Sequence, residues 1–280
     1  LNVYDEIIVS CNSKEMDIER YLSNLDSGKN VIYNLQEENI GLCKNYGDII
    51  KLSKCKYIHI ISDEDSVNYK NTKDLYKFIE DSQIKYGIIC LSVIDEFGKI
   101  YKDASIQKNN HIKNICSDTG HIGSFLINIE QWKEKSINLF SDYAERLGSV
   151  YPTTASAIIA YLSNPNIAYY PKHIVKMGTK HKKSEIRGHN IYGFSSRGYQ
   201  FMSLIDLVIS ANILRCHQTI IYMIYFFSSH AFIDSHNKFK ESVFASSLKC
   251  LKCKDFSITS KVFLIISIIL FYFFRIYRFL

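Results

Sequence analysis

The sequence lacks the features that mark several common classes of protein. Its one close cysteine pair is Cys250-x-x-Cys253, and no second Cys-x-x-Cys pair accompanies it, so the spacing does not favour a zinc site. The other cysteines are scattered, and several fall in apolar segments, as reduced core thiols of a cytosolic protein do. The formal net charge is only +6 over 280 residues, which is too small and too dispersed to indicate nucleic acid as a partner.

The most informative feature that is present is an acidic cluster, Asp63-Glu64-Asp65, which directly follows the apolar segment 57–61. A short apolar run predicts a buried strand, and ligands of open α/β sheets bind beyond the carboxyl ends of such strands. Adjacent carboxylates repel one another unless a divalent cation, a basic neighbour or protonation relieves them. The cluster therefore predicts a metal site, with a solvated acidic turn as the alternative.

The rest of the first 170 residues alternates between strand-like and helix-like patterns. Such alternation predicts an α/β fold with a mostly parallel sheet and flanking helices, interrupted by a hairpin around residues 96–98. Trp132, the sole tryptophan, is interpreted as a packing residue near the start of a helix. The predicted strands are 6–10, 31–35, 57–61, 86–92, 123–127 and 167–170; the predicted helices are 17–25, 42–53, 72–81, one beginning at Glu130, and 152–162.

An Asn-x-Gly-x-x-x-Asn segment, formed by Asn39, Gly41 and Asn45, precedes the acidic strand by one helix. This segment, the amphipathic helix, the Tyr-Ile-x-x-Ile strand and the Ser-Asp-x-Asp motif together resemble the family 2 glycosyltransferases over most of residues 5–175. The resemblance implies a GT-A fold, whose acidic motif holds Mg²⁺ or Mn²⁺ on the diphosphate of a nucleotide-sugar donor. It assigns Asp63 and Asp65 to the metal, and Asn39, Gly41, Asn45 and Asp63 to the donor.

The chain also departs from the family pattern. Glu64 replaces the more frequent middle Asp, and Cys11 stands where an Asp is usual. Segment 5–13 resembles the second strand of the family's domain, so the chain resembles a member that lacks the first strand–helix unit. Activity as an inverting, metal-dependent hexosyltransferase is expected once that unit is supplied.

The resemblance implies two further groups of site residues. Inverting members use a carboxylate as general base, and Asp142 and Glu145 are the nearest candidates, although each could be a helix-surface charge. A basic stretch follows the last predicted strand, where relatives carry a loop that closes over the diphosphate. Arg187 is a candidate phosphate ligand there, and His181 and His189 are candidate metal ligands; a solvated or lipid-facing basic stripe is the alternative.

The composition becomes apolar from about Met202 onward, with apolar runs at 204–214, 219–227 and 262–274. These runs predict membrane-associated helices in a C-terminal region, 191–280, that follows a glycosyltransferase-like domain, 1–190. The last run is shorter than the roughly 20 residues of a membrane span, so interfacial or re-entrant helices are as plausible as a crossing, and buried helices are the soluble alternative. The lysines ahead of it favour the cytoplasmic face of the cell membrane.

The sequence thus predicts a glycosyltransferase that moves a sugar from a nucleotide-sugar donor to a lipid-linked or polysaccharide acceptor at the membrane surface. The abundance of Ile, Lys, Asn and Tyr hints at an AT-rich bacterial genome and hence at surface glycan synthesis. Two alternatives stay open. One is an inactive, truncated remnant that acts as a membrane-bound interaction module, and the other is a nucleotidyltransferase, which would normally carry a Gly-rich phosphate loop at its first strand.

Overall fold

The structure, a computed structural model, has a mixed α/β fold. It describes residues 4–12, 30–104, 122–130, 132, 136–141, 152–178, 202–203, 205–207, 209, 248–254 and 256–277. The strands are β1 (Ile7–Cys11), β2 (Val31–Leu35), β3 (Tyr57–His59), β4 (Ser66–Val67), β5 (Ile88–Ile94), β6 (Ile100–Lys102), β7 (Phe125–Asn128) and β8 (Ile167–Lys176). The helices are α1 (Leu42–Leu52), α2 (Tyr69–Glu80), α3 (Pro152–Ser163) and α4 (Ile258–Tyr277).

The described strands form two sheets. β1 and β2 pair in parallel as a two-stranded sheet, with Ile7 opposite Val31. The second sheet has six strands in the order β3-β7-β5-β8-β4, with β6 paired to β5. In that sheet β5 and β8 pair in parallel, whereas the other pairings are antiparallel.

The prediction of a mostly parallel sheet is therefore wrong for the larger sheet. A tight turn at Gly98, where φ is +82°, reverses the chain between β5 and β6, as the predicted hairpin requires. β7 then enters between β3 and β5 and runs opposite to both. Helix–strand alternation indicates crossovers, but it does not show where a later strand inserts or in which direction.

The core of the larger sheet is centred on β5. Its residues from Ile88 to Val93 are all buried, and Ile89, Leu91 and Val93 pack with Leu75 of α2 and Ile174 of β8. Each fully buried Leu or Ile side chain contributes about 1.5–3 kcal/mol to folding. This strand therefore fixes the position of its neighbours β7 and β8, which in turn pair with β3 and β4, the strands on either side of the acidic cluster.

Most predicted elements are confirmed, including the helices at 42–53, 72–81 and 152–162. The predicted helix does not begin at Glu130, because the N–H groups of Glu130 and Trp132 bond to Asn128 Oδ1 and the Ile129 carbonyl in a turn. Helical backbone lies instead at residues 136–141. Trp132 is buried and packs against Phe140, as expected of a packing residue. The predicted helix at 17–25 lies outside the described residues.

The chain divides into two compact units. The first comprises residues 1–109, 121–148 and 159–179, and the second comprises 110–120, 149–158 and 180–280. In the second unit Cys250 and Cys253 carry thiols, and burial raises the pKa of Cys250 to about 11. None of the helices in the described part combines the length and apolar character that crossing a bilayer requires. The apolar run 219–227 lies outside that part, and the domain boundary near residue 190 stays a prediction.

Candidate functional site

A cluster of neutral polar side chains lies at the carboxyl ends of β1 and β2, and we call it the amide cluster. Asn34 Nδ2 donates to Ser10 Oγ (3.0 Å), and Ser10 Oγ donates to Asn45 Oδ1 (2.5 Å). Beside them, Asn12 Nδ2 donates to Asn39 Oδ1 (2.8 Å). The members of the amide cluster are Ser10, Asn12, Asn34, Asn39 and Asn45.

Gly41 explains how the loop before α1 reaches this cluster. Its φ is +87°, a conformation that favours glycine, and its N–H donates to Asn39 Oδ1 (2.9 Å). The Gly41 carbonyl then accepts the Asn45 N–H (3.1 Å) in the first turn of α1, and the Ile40 N–H donates to Asn12 Oδ1 (3.0 Å). The structure thus brings together the predicted residues Asn39, Gly41 and Asn45, although their role in binding a nucleotide stays a prediction.

The amide cluster suits a neutral polar ligand. Each Asn side chain carries both donors and acceptors, the Ser10 hydroxyl can do either, and none of the five members is charged. Cys11, the last residue of β1, is half-buried. Directional hydrogen bonding without charge is the chemistry that recognises a nucleobase or a ribose.

The acidic residues form a turn between β3 and β4, separated from the end of β3 by residues 60–62, and we call residues 63–65 the acidic turn. The Asp65 N–H donates to the Ser62 carbonyl (3.1 Å), and Ser62 Oγ donates to Asp63 Oδ1 (3.1 Å). Asp63 and Glu64 are exposed, whereas Asp65 is half-buried. The turn thus offers carboxylates to a ligand at the end of a strand of the larger sheet.

The acidic turn is held against the end of β8. Asp65 Oδ1 accepts the Gly178 N–H (3.2 Å), and β4, which follows the turn, pairs Ser66 with Lys176. The approach is close enough that a Cβ on Gly178 would lie 1.8 Å from the Glu64 carbonyl oxygen. The position of the acidic turn therefore depends on a glycine more than a hundred residues away in sequence.

The donor set of the acidic turn fits a hard divalent cation. Mg²⁺ prefers oxygen ligands, and it is commonly bound by one or two carboxylates with water and substrate phosphates completing its shell. In the described ranges no three His, Cys, Asp or Glu side chains are grouped to hold a metal by themselves. Asp63 and Asp65 remain the predicted ligands, and a bound phosphate would have to complete the site.

The segment that follows the acidic turn, at the start of α2, is hydrogen-bonded to β8. Asn68 caps α2 by accepting the Asn71 N–H (3.0 Å), its Nδ2 lies 3.0 Å from His173 Nε2, and its own N–H donates to the Ile174 carbonyl (2.8 Å). Asn71 Nδ2 donates to the His173 carbonyl (2.8 Å). These contacts fix the segment after the acidic turn to β8.

An ion pair adds to the contact between β8 and α2. Lys172 Nζ lies 2.6 Å from Asp74 Oδ2, and this hydrogen bond is the main reason that the pKa of Asp74 is lowered and that of Lys172 raised. Both side chains are largely exposed, so water and salt screen the pair and its contribution to stability is small.

Sequence analysis missed several residues of this region. Ser10, Asn12 and Asn34 follow or end strands β1 and β2, so polar residues at strand ends were the available signal. Gly178, just after β8, carried no comparable signal, because its contact with the acidic turn spans two distant segments. The predicted residues Asp142, Glu145, His181, Arg187 and His189 lie outside the described residues.

Comparison with known proteins gives a fold match without a sequence match. No protein-family model matches the chain, and no curated protein does. The crystal structure of S. aureus TarS 1–349 in complex with UDP matches with a TM-score of 0.58 at 13% identity, covering 82% of this chain and 64% of that chain. Another crystal structure of S. aureus TarS 1–349 matches with a TM-score of 0.49 at 13% identity, covering 82% of this chain and 79% of that chain. TarS is a glycosyltransferase, and the likeness to its complex with UDP shows that this chain has a glycosyltransferase-like fold.

Proposed function

We propose that the chain is a family 2-like glycosyltransferase that binds a nucleotide sugar and transfers its sugar to an acceptor hydroxyl. The observation that carries the proposal is the acidic turn, which a glycosyltransferase-like fold holds against β8 through the Gly178 N–H. In the proposed complex the diphosphate lies at the acidic turn, and the nucleoside lies at the amide cluster.

The chemistry follows from these positions. Asp65 and Asp63 hold Mg²⁺ or Mn²⁺, which when bound supplies positive charge that stabilises the departing nucleoside diphosphate. The acceptor oxygen forms a bond to the anomeric carbon as the bond from that carbon to the diphosphate breaks. The acceptor proton would pass to Asp142 or Glu145 as general base, Arg187 would bind the diphosphate, and His181 and His189 would be further ligands of the metal.

The proposed donor rests on a structural comparison, and the proposed acceptor rests on composition. UDP is the first nucleotide to test, because TarS 1–349 was crystallised with UDP. The acceptor is proposed to be a lipid-linked or polysaccharide hydroxyl in bacterial surface glycan synthesis, which rests on composition.

Calorimetric titration with nucleoside diphosphates in the presence of Mn²⁺ tests the donor site. Asp65→Asn removes the charge while an amide oxygen can still accept the Gly178 N–H, so we expect Mn²⁺-dependent binding to fall by more than about ten-fold. Asp95→Asn is the matched control, because Asp95 is also a turn carboxylate that accepts backbone N–H groups, from Phe97 and Lys99, but it lies in the β5–β6 turn. We expect this control to bind as the unchanged chain does.

Two results of this titration would contradict the proposal. One is that no nucleoside diphosphate binds to the folded chain, which would favour the inactive remnant. The other is that Asp65→Asn binds as tightly as Asp95→Asn, which would place any nucleotide away from the acidic turn.

A second titration separates the nucleoside from the diphosphate. Asn12→Ala removes the hydrogen bonds to Asn39 and to the Ile40 N–H, so the loop that carries Gly41 loses its anchor. We expect UDP affinity to fall about five-fold, as the loss of one hydrogen bond of about 1 kcal/mol between the amide cluster and the nucleoside implies, while the affinity for pyrophosphate stays unchanged. An equal loss for UDP and pyrophosphate would show that the amide cluster does not contact the nucleoside.

A further inference from the structure

Helix α4 exposes a row of large apolar side chains of the kind that an ordinary surface helix buries. Ser260, Leu264 and Ser267 are fully buried. The opposite face carries large side chains at helical spacing, of which Ile258 is 80% exposed, Phe273 64% and Ile269 61%. We call this face the apolar stripe, and its members are Ile258, Val262, Ile265, Ile266, Ile269 and Phe273.

The buried face of α4 is fixed by polar contacts at its first turn. Asp206 Oδ1 accepts Ser260 Oγ (2.6 Å), Ser257 Oγ (2.8 Å) and the Ser257 N–H (3.3 Å), and Asp206 is buried. A carboxylate at a helix N-terminus is favoured by the helix dipole. Turning the helix to hide the apolar stripe would break these bonds and leave a buried carboxylate unsatisfied, so the stripe stays on the outside.

The sequence around the apolar stripe is basic. Lys249, Lys252 and Lys254 precede α4 and are exposed. Residues 249–280 contain four lysines and two arginines against one aspartate, a formal net charge of +5. An exposed apolar face with basic residues beside it is typical of helices that lie in the interface of an anionic bilayer.

We propose that α4 binds an anionic lipid surface, with its axis in the plane of the bilayer and the apolar stripe inserted at the level of the headgroups. The charge distribution favours lipid over a second copy of this chain. Lysines lie ahead of the helix and Arg275 lies in its last turn, so pairing two copies would bring basic ends together in either a parallel or an antiparallel arrangement. This binding does not depend on the proposed sugar transfer, since it uses none of the donor-site residues.

Flotation of the full chain with vesicles tests the proposal. One set of vesicles is phosphatidylcholine alone, and the other is phosphatidylcholine mixed with phosphatidylglycerol. We expect binding to the phosphatidylglycerol vesicles that weakens with added salt, and at least about ten-fold weaker binding after Ile269→Asp combined with Phe273→Asp. Phe97→Asp is the matched control, because Phe97 is 81% exposed in the β5–β6 turn, and it should bind as the unchanged chain does.

A chain that stays unbound with phosphatidylglycerol vesicles would overturn the proposal. So would an equal loss in Phe97→Asp, or a lipid-free dimer that the double variant abolishes while vesicle binding is absent. If the double variant does not fold, Lys249, Lys252 and Lys254 are changed together to Glu. These exposed changes leave the core intact, and they should abolish the preference for phosphatidylglycerol; an undiminished preference overturns the proposal.

Discussion

Replacing Gly87 with Ala should destabilise the first unit more than any exposed substitution in the chain. A Cβ at this position would lie 2.0 Å from the Asn164 carbonyl oxygen and 3.0 Å from the Ala160 carbonyl oxygen. Both neighbours are backbone atoms, which cannot swing aside as a side chain can. We expect a loss of about 3 kcal/mol, which for a chain of this size lowers the melting temperature by about 6–12 °C.

Gly87 cannot move away from this contact without breaking the sheet. Its N–H donates to the Asn166 carbonyl (2.8 Å), and its own carbonyl accepts the Asn128 N–H (2.9 Å). Asn164 is held as well, because its Nδ2 donates to the Lys85 carbonyl (2.7 Å). A shift at Gly87 would therefore disturb the start of β5, which carries the core of the larger sheet.

Thermal melting followed by circular dichroism checks this expectation, with Gly98→Ala as the control. Gly98 also has a constrained backbone, with φ at +82°, but no atom lies within 4 Å of the Cβ it would gain. The control should be destabilised only by the strain of that conformation, which costs about 1–2 kcal/mol. A Gly87→Ala variant that melts no lower than Gly98→Ala would show that Gly87 and Asn164 do not approach so closely.

The elements that sequence analysis predicted correctly depend on local patterns. Helix α1 keeps apolar residues at helical spacing and buries Tyr46 and Ile50, as that spacing requires. Strand β3 is a short apolar run, and the acidic turn follows it as predicted. The turn and the loop before α1 were predictable because each is a run of neighbouring residues that carries its own chemical signature.

The elements that sequence analysis missed depend on contacts between distant segments. β7 inserts between β3 and β5, and no residue pattern within β7 specifies that place or its direction. The Asn68–His173 contact joins residues 105 positions apart, and the Gly178–Asp65 contact joins residues 113 apart. The start predicted for the helix at Glu130 was wrong for a local reason, since the Asn128 side chain competes for the Glu130 N–H and favours a turn.

The second large effect is expected at Gly178, where alanine should abolish metal-dependent nucleotide binding. The added Cβ would lie 1.8 Å from the Glu64 carbonyl oxygen and 2.6 Å from the Glu64 carbonyl carbon. Either the acidic turn or the chain after β8 must shift, and the Gly178 N–H can then no longer reach Asp65 Oδ1. Displacing a metal ligand by even about 1 Å weakens binding strongly, so we expect nucleotide affinity in the presence of Mn²⁺ to fall by more than about ten-fold.

Comparing the two glycine variants distinguishes loss of nucleotide binding caused by a displaced acidic turn from loss caused by a general decrease in stability. Gly87→Ala lowers stability but leaves the acidic turn in place, so at a temperature where it is folded it should bind a nucleoside diphosphate with unchanged affinity. Gly178→Ala should lose binding at the same temperature while its circular dichroism spectrum still shows a folded chain. Because the clash is with the backbone of Glu64 itself, nucleotide binding that survived Gly178→Ala would mean that the acidic turn is not where the diphosphate binds, and the donor site would have to be sought elsewhere in the fold.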